Sequence, residues 1–351
     1  MKVKKKIYLD YNATTPTDPR VVTSMLPYFT EQFGNASSLN HTFGWEAEEA
    51  VEIAREQIAQ LIHAKSNELY FTSGATESIH IAIRGFAINN KEKGNHIITS
   101  LGEHKTVLAT CQQLENEGFS VTYLPLDGEG SINLVALEEA ITTKTILMTF
   151  MAANNETGII SPINKISSIA KQHAIVLMSD ITQVIGKIPF DLKTSGIDIA
   201  TFSSHKMYGP KGIGALYINQ NISSQIKGLY KGGGQERNMR PGTLNVPAIV
   251  GFGRAAELCQ QTLQEEGNEI GALRDYLEKK LIHTAKGRVI GFKANRLPHV
   301  TNFTFINING TLLIRALKNI AVSQGSACTS NIIEPSHVLK AMQIPDEEAL
   351  S

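Results

Sequence analysis

The sequence predicts an α/β protein, in which helices flank a mostly parallel seven-stranded sheet and a smaller α+β domain follows. Three observations predict it. Between about residues 45 and 218, helical periodicity alternates with short β-rich runs, the pattern of a sheet whose crossovers are helices. A composition of 42% hydrophobic and 19% charged residues over 351 positions is enough for a full core and two domains. After Gly232-Gly233-Gly234 the pattern changes to helical segments around 249–265 and 272–283, then to 300–307, which alternates like a half-buried strand.

The first long helix, 45–63, puts Val51, Ala54, Ile58, Leu61 and Ile62 on one face and Glu48, Glu49, Glu52, Arg55 and Glu56 around the other. Strands are expected at 69–72, 96–100, 121–124, 145–151, 175–181, 197–203 and 213–218. Helices at 77–89, 105–117, 134–141 and 162–173 separate most of them. In such a sheet the site lies in the crevice beyond the carboxyl ends of the strands. There is no internal repeat or low-complexity tract.

Composition excludes several classes of function. With 33 basic and 33 acidic residues the formal charge is zero, so there is no broad footprint for nucleic acid or an anionic membrane. The longest apolar runs, such as 146–153 apart from Thr149, fall far short of the roughly 20 residues that span a bilayer. The basic start, Met1-Lys2-Val3-Lys4-Lys5-Lys6, leads into Ile7-Tyr8-Leu9-Asp10-Tyr11 and not into an apolar leader, so a cytoplasmic location is expected. Cys111, Cys259 and Cys328 are widely separated and include no C-x-x-C pair, which argues against a disulfide framework and a protein-only zinc site.

Polar clusters at predicted strand ends carry the chemistry. Leu69-Tyr70-Phe71-Thr72-Ser73-Gly74-Ala75-Thr76-Glu77 reads as strand, glycine turn and helix start, where free N–H groups can hold a phosphate or simply await a cap. Val176-Leu177-Met178-Ser179-Asp180 is an apolar strand ending in an acid, with Gln183 three residues on; such an acid also caps helices or binds ribose. The third cluster, Asp198-Ile199-Ala200-Thr201-Phe202-Ser203-Ser204-His205-Lys206, runs from strand to hydroxyls, an imidazole and a lysine. A lysine held in a site can lose its proton and form a Schiff base. Alone it would pass for a surface loop; with Asp180 26 residues upstream and the phosphate turn, that reading fails.

The cysteines differ in setting. Cys111 shares a helical face with Val107, Leu108 and Leu114, and Cys259 sits similarly in 255–263, so both are expected in the core. Cys328 lies in Ser323-Gln324-Gly325-Ser326-Ala327-Cys328-Thr329-Ser330-Asn331, small, polar and glycine-containing, the composition of an exposed loop.

Taken in order, these clusters resemble the class-V aminotransferase-like, fold type I pyridoxal-phosphate (PLP) proteins, and within them the NifS/IscS-type cysteine desulfurases. The agreement runs nearly end to end: Tyr8-Leu9-Asp10-Tyr11-Asn12-Ala13-Thr14-Thr15-Pro16, residues 71–77, Glu103-His104-Lys105, Asn154-Asn155-Glu156, 180–183, 203–206, 232–243 and Ser326-Ala327-Cys328-Thr329-Ser330. The resemblance implies a large PLP-binding domain over 15–250 and a small domain made of 1–14 with 251–351. It implies that Lys206 holds the cofactor and Asp180 pairs with its ring nitrogen, while Gln183 and Asn155 reach the phenolic oxygen or substrate. His104 would stack on the ring and move protons; Ala75, Thr76, Ser203 and His205 would hold the phosphate, and Thr243 would reach the phosphate of a partner subunit in a homodimer. Cys328 would take sulfur from L-cysteine as a persulfide, leaving L-alanine. The persulfide would pass to an iron–sulfur scaffold or a tRNA-thiolation relay, and Cys328 could touch a nascent cluster.

One departure sets an expectation of its own. The sequence stops at Ser351, before the Ser-x-Arg-x-Ser segment whose arginine, in the family, grips the substrate carboxylate. A contact of that kind contributes about 1.5–3 kcal/mol, so weakened turnover is expected, or a PLP-binding paralogue with little of it; Arg237 and Arg240 are the nearby candidates to replace it. A third reading is another class-V enzyme, such as an aminotransferase, in which Cys328 is incidental.

Overall fold

All seven expected strands form one sheet in the computed structural model, which describes residues 6–324 and 334–351. The chain enters through β1 (Ile7–Tyr8), α1 (Pro19–Met25), α2 (Pro27–Thr30) and α3 (Thr42–Leu61). The sheet and its covers follow as β2 (Leu69–Thr72), α4 (Ala75–Asn89), β3 (His96–Ser100), α5 (Lys105–Asn116), β4 (Ser120–Leu124), α6 (Leu134–Glu139) and β5 (Thr145–Thr149). They continue as α7 (Ile163–Gln172), β6 (Val176–Asp180), α8 (Leu192–Ser195), β7 (Ile199–Ser203) and β8 (Gly214–Ile218). The remainder is α9 (Val246–Thr284), β9 (Gly287–Val289), β10 (Phe303–Phe305), α10 (Gly310–Leu317), β11 (Ile320–Ala321), α11 (His337–Ala341) and α12 (Asp346–Ala349).

Strand order is β2-β8-β7-β6-β5-β3-β4. Pairs among β3 to β7 are parallel, whereas β8 runs antiparallel to both β7 and β2. The ten residues 204–213 between β7 and β8 explain the reversal, because a parallel return needs a crossover of a dozen residues or more. Strands β3, β5, β7 and β8 are buried along their whole length, which is why they read as apolar runs without alternation. One core cluster, with Phe150, Phe202 and Phe252, lies on one side; Ile79, Ile81, Phe86 and Ile97 belong to the other.

The structure corrects three expectations. The two helices after the glycine stretch are one 39-residue helix, α9, which runs through the expected domain boundary at residue 250. Gly267 and Gly271 lie inside it: a helical glycine costs about 1 kcal/mol against alanine but removes no hydrogen bond, and no proline follows Pro247 within the helix. The strand expected over 300–307 is only β10, paired antiparallel with β9. Arg55, assigned to the solvent face of α3, is 3% exposed. Its guanidinium forms a two-bond pair with Glu236 at 2.9 and 2.8 Å, donates to the Leu69 carbonyl at 3.1 Å and lies 4.5 Å from the Phe71 ring centre. Glu236 also accepts from the Phe71 N–H.

That pair ties α3 to β2 and to the 235–238 turn, and removing one partner strands a buried charge. Glu236→Ala is therefore expected to lower the unfolding free energy by about 3–5 kcal/mol in urea titration.

Candidate active site

Three strand ends and one helix start form the mouth of the site. At β2 the chain turns through Gly74, whose φ of 155° and ψ of 175° lie in a region open essentially to glycine alone. No side chain caps α4, and its first helical bond is from Ser78 N–H to Gly74 O, so the N–H groups of Ala75, Thr76 and Glu77 precede it. A Cβ on Gly74 would sit 3.8 Å from Ser203 Oγ, which places that hydroxyl beside the turn. Gly214, opposite Ser203 in the β7–β8 pair, allows the approach: a Cβ there would meet Gly74 Cα and Phe202 O, each at 2.6 Å. The phosphate turn expected from the sequence is thus bounded by Ala75, Thr76 and Ser203.

His205 and Lys206 leave β7 on a single 3₁₀ turn, Ser204–Lys206. His205 Nδ1 lies 3.0 Å from Thr14 Oγ1, and its carbonyl accepts from both the N–H and the hydroxyl of Thr15, each at 3.0 Å. Burial, with the Lys206 and Lys211 charges adding to it, pushes the imidazole down to about 4, so it is neutral at pH 7.

The N-terminal residues gather the rest. Lys206 Nζ donates to the carbonyls of Asn12 and Ala13, the latter at 2.9 Å. The same Asn12 carbonyl accepts from Gln183 Nε2 at 3.3 Å, while Asn12 Nδ2 donates to the Asn155 carbonyl at 3.0 Å. One residue thus joins Lys206, Gln183 and Asn155. Asp180, at the end of β6, is 8% exposed and accepts from the Thr182 N–H at 2.9 Å. His104 caps α5, its Nδ1 accepting from Thr106 N–H at 3.2 Å. His104 is itself exposed, yet desolvation by the groups packed around it holds the imidazole below its usual range; Asp180 opposes that shift, and Lys206 and His337 add to it, so all three stand within electrostatic reach of the ring.

Sequence reasoning missed Asn12 and Thr14 as site residues, though both lie in the small polar run Asn12-Ala13-Thr14-Thr15 that carried part of the resemblance. Their role depends on a fold that brings them to Lys206 and His205, 194 and 191 positions away. Thr243 is exposed, and Cys328 lies outside the described residues. Arg240 is paired with Glu77 at 3.1 Å; Arg237 donates to the Leu69 carbonyl and lies 4.1 Å over the Tyr70 ring. Cys111 and Cys259 are buried, as expected.

The donor set suits PLP: an acid for a basic ring nitrogen, an amine for an aldehyde, and a helix start lined with N–H groups for a phosphate. An α/β protein with this array has the makings of a class-V aminotransferase. Residues 7–345 match the Aminotransferase class-V family. A cysteine desulfurase IscS of Anaeromyxobacter dehalogenans is 47% identical over 350 residues, covering 99% of this chain and 87% of that protein. One of the same description from Rickettsia felis is 48% identical over 345 residues, 98% and 84% of the two chains. Among solved structures, a NifS-like protein superposes with a TM-score of 0.91 at 37% identity, covering 99% of this chain and 92% of that one. A structure described as SspA in complex with cysteine gives 0.87 at 38% identity, covering 98% and 96%. The chain belongs to the class-V aminotransferase family and, within it, to the NifS/IscS-type cysteine desulfurases.

Gly214→Ala tests the cradle. The added methyl meets backbone on two sides, so a loss of about 1–3 kcal/mol in stability is expected, together with weaker retention of PLP on dialysis.

Proposed function

We infer that the protein is a cysteine desulfurase with PLP as its cofactor: L-cysteine gives up its sulfur to a protein thiol, leaving L-alanine and a persulfide. The observation that carries the reading is the convergence of Lys206, Gln183 and Asn155 on Asn12, beside Asp180 and the α4 turn. When bound, PLP supplies an electron-poor ring that draws charge from a substrate's α-carbon.

The residues divide the remaining work. Lys206 is the amine that would hold the cofactor, and Asp180 would keep a proton on the ring nitrogen. Asn155 and Gln183 would reach the phenolic oxygen or the substrate. His104, its Nδ1 engaged by Thr106 and its Nε2 without a hydrogen bond among the described residues, would hold or move a proton. The N–H groups of Ala75 and Thr76, with Ser203 and His205, would grip the phosphate. Cys328, in the glycine-containing loop that matches the family's sulfur-accepting segment, would form the persulfide, and an iron–sulfur scaffold or sulfur-relay protein would take it onward. The low-turnover alternative is not favoured, given relatives described as cysteine desulfurases over nearly the whole chain.

The homodimer finds support in a run of exposed apolar side chains, Leu26, Phe29, Phe33, Leu39 and Trp45, all more than half exposed between the end of α1 and the start of α3. Thr243, also exposed, would meet the partner's phosphate there. The grouping of 1–14 with 251–351 is supported by β1, which pairs with β11. Among the described residues no helix is long and apolar enough to cross a membrane; we place the protein in the cytoplasm.

Purified protein mixed with PLP and L-cysteine should show cofactor absorption, alanine and persulfide sulfur together. Lys206→Ala should abolish the lysine-linked absorption and all turnover. Cys328→Ala should keep the absorption and lose sulfur transfer; transfer at the native rate would remove Cys328 from the reaction. A keto acid as the main product would assign the chain to transamination.

A further inference from the structure

Glu103 is a buried acid that the reading above leaves without work. It lies in the turn between β3 and α5, next to His104, and is 1% exposed. Its Oε1 accepts from the Met151 N–H at 2.8 Å and from Ser100 Oγ at 3.3 Å. Its Oε2 is buried with no partner among the described residues. The next N–H along, that of Ala152, donates to the Asp180 carbonyl at 2.9 Å, so Glu103 and Asp180 flank the end of β5 from opposite sides. The Glu103 carbonyl accepts from His337 Nε2 at 2.9 Å. One residue therefore ties β3, β5 and the first residue of α11 to the turn that presents His104.

We propose that Glu103 is a positioning residue for the reaction, acting as a neutral carboxylic acid: it fixes the 100–104 turn under His104 while Asp180 supplies the negative charge beside the cofactor ring. The proposal rests on the functional reading above and gives a role to a residue that entered the sequence analysis only as part of the matching Glu103-His104-Lys105 run. An oxygen in a dry pocket without a donor cannot carry charge cheaply, but it can carry a proton. The titratable groups facing the carboxyl are Asp180 from β6 and Cys111 from α5. His104 adjoins it in the chain, Lys206 acts on His104, and His337 binds the Glu103 carbonyl. Burial pushes the carboxyl up to about 8; Asp180 adds to that rise, and the Met151 and Ser100 bonds oppose it. Ionisation on the alkaline side would put a second negative charge under His104 and beside Asp180.

The folded protein then binds this proton more tightly than the unfolded chain does. The stability contributed by Glu103 is complete below the ordinary carboxyl range and is lost as pH rises through about 8. Glu103→Gln keeps the shape and cannot ionise.

The test compares PLP-loaded native protein with Glu103→Gln and Glu103→Ala. In the infrared difference spectrum of native protein against Glu103→Gln, a protonated-carboxyl band should be present at pH 7 and fade near pH 8. Melting temperature should fall less steeply between pH 6 and pH 9 in Glu103→Gln. With L-cysteine, Glu103→Gln should stay within about threefold of the native kcat at pH 7 and lack the native alkaline decline, whereas Glu103→Ala should lose about tenfold or more. A carboxylate band at pH 7, an unchanged alkaline limb in Glu103→Gln, or equal damage in both variants would overturn the proposal. Native protein that makes no alanine would refute the functional reading, and the infrared and melting measurements would still decide Glu103.

Discussion

The site depends on a shortage of chain. Ten residues separate β7 from β8, too few for a crossover, so β8 must double back beside β7 and pair with β2 on its far side. That return sets Gly214 against Gly74 and brings Ser203 to the start of α4. Lys206 is then carried on a single 3₁₀ turn at the same end of the sheet as the phosphate cradle. The parallel neighbour β6 ends at that edge too and delivers Asp180. Phosphate grip, amine and acid thus converge because four chain ends open on one side of one sheet.

The N-terminal residues close the arrangement from outside. Thr14 and Thr15 hold His205, Asn12 and Ala13 hold Lys206, and Asn12 reaches Asn155. Before them, β1 pairs with β11 and the Ser323 hydroxyl donates to Asp10 at 2.7 Å. A stretch of about ten residues therefore links the large sheet to the C-terminal part of the chain across the mouth of the site. Charge follows the same geometry. Desolvation lowers His104 and His205 and raises Glu103, which lies buried behind the turn that carries His104. Glu103 and Asp180 are both more than nine-tenths buried, so a charge on either is poorly screened.

Much of this was determined by the sequence itself. The seven strands are local facts: short β-prone runs such as 146–148 and Gly214–Ile218 are separated by glycine turns or by helices of clear periodicity. Lys206, Asp180 and the Gly74 turn were legible because each ends a strand, and strand ends of a parallel sheet share one side. Cys111 and Cys259 declared themselves by helical spacing.

Tertiary structure decided what local pattern could not encode. Arg55 read as a solvent-face charge, since its partner Glu236 lies 181 residues away and only the fold brings them together. The continuity of α9 was hidden because propensity marks Gly267 and Gly271 as weak points, while burial of the first half of the helix against α3 sustains it. Asn12, Thr14 and Glu103 gained their roles by meeting Lys206, His205 and Met151 across the fold. Periodicity records which face of an element is dry. The partners that a polar group finds there are set by chain reversals tens to hundreds of residues away, and those become visible only when the whole sheet is assembled.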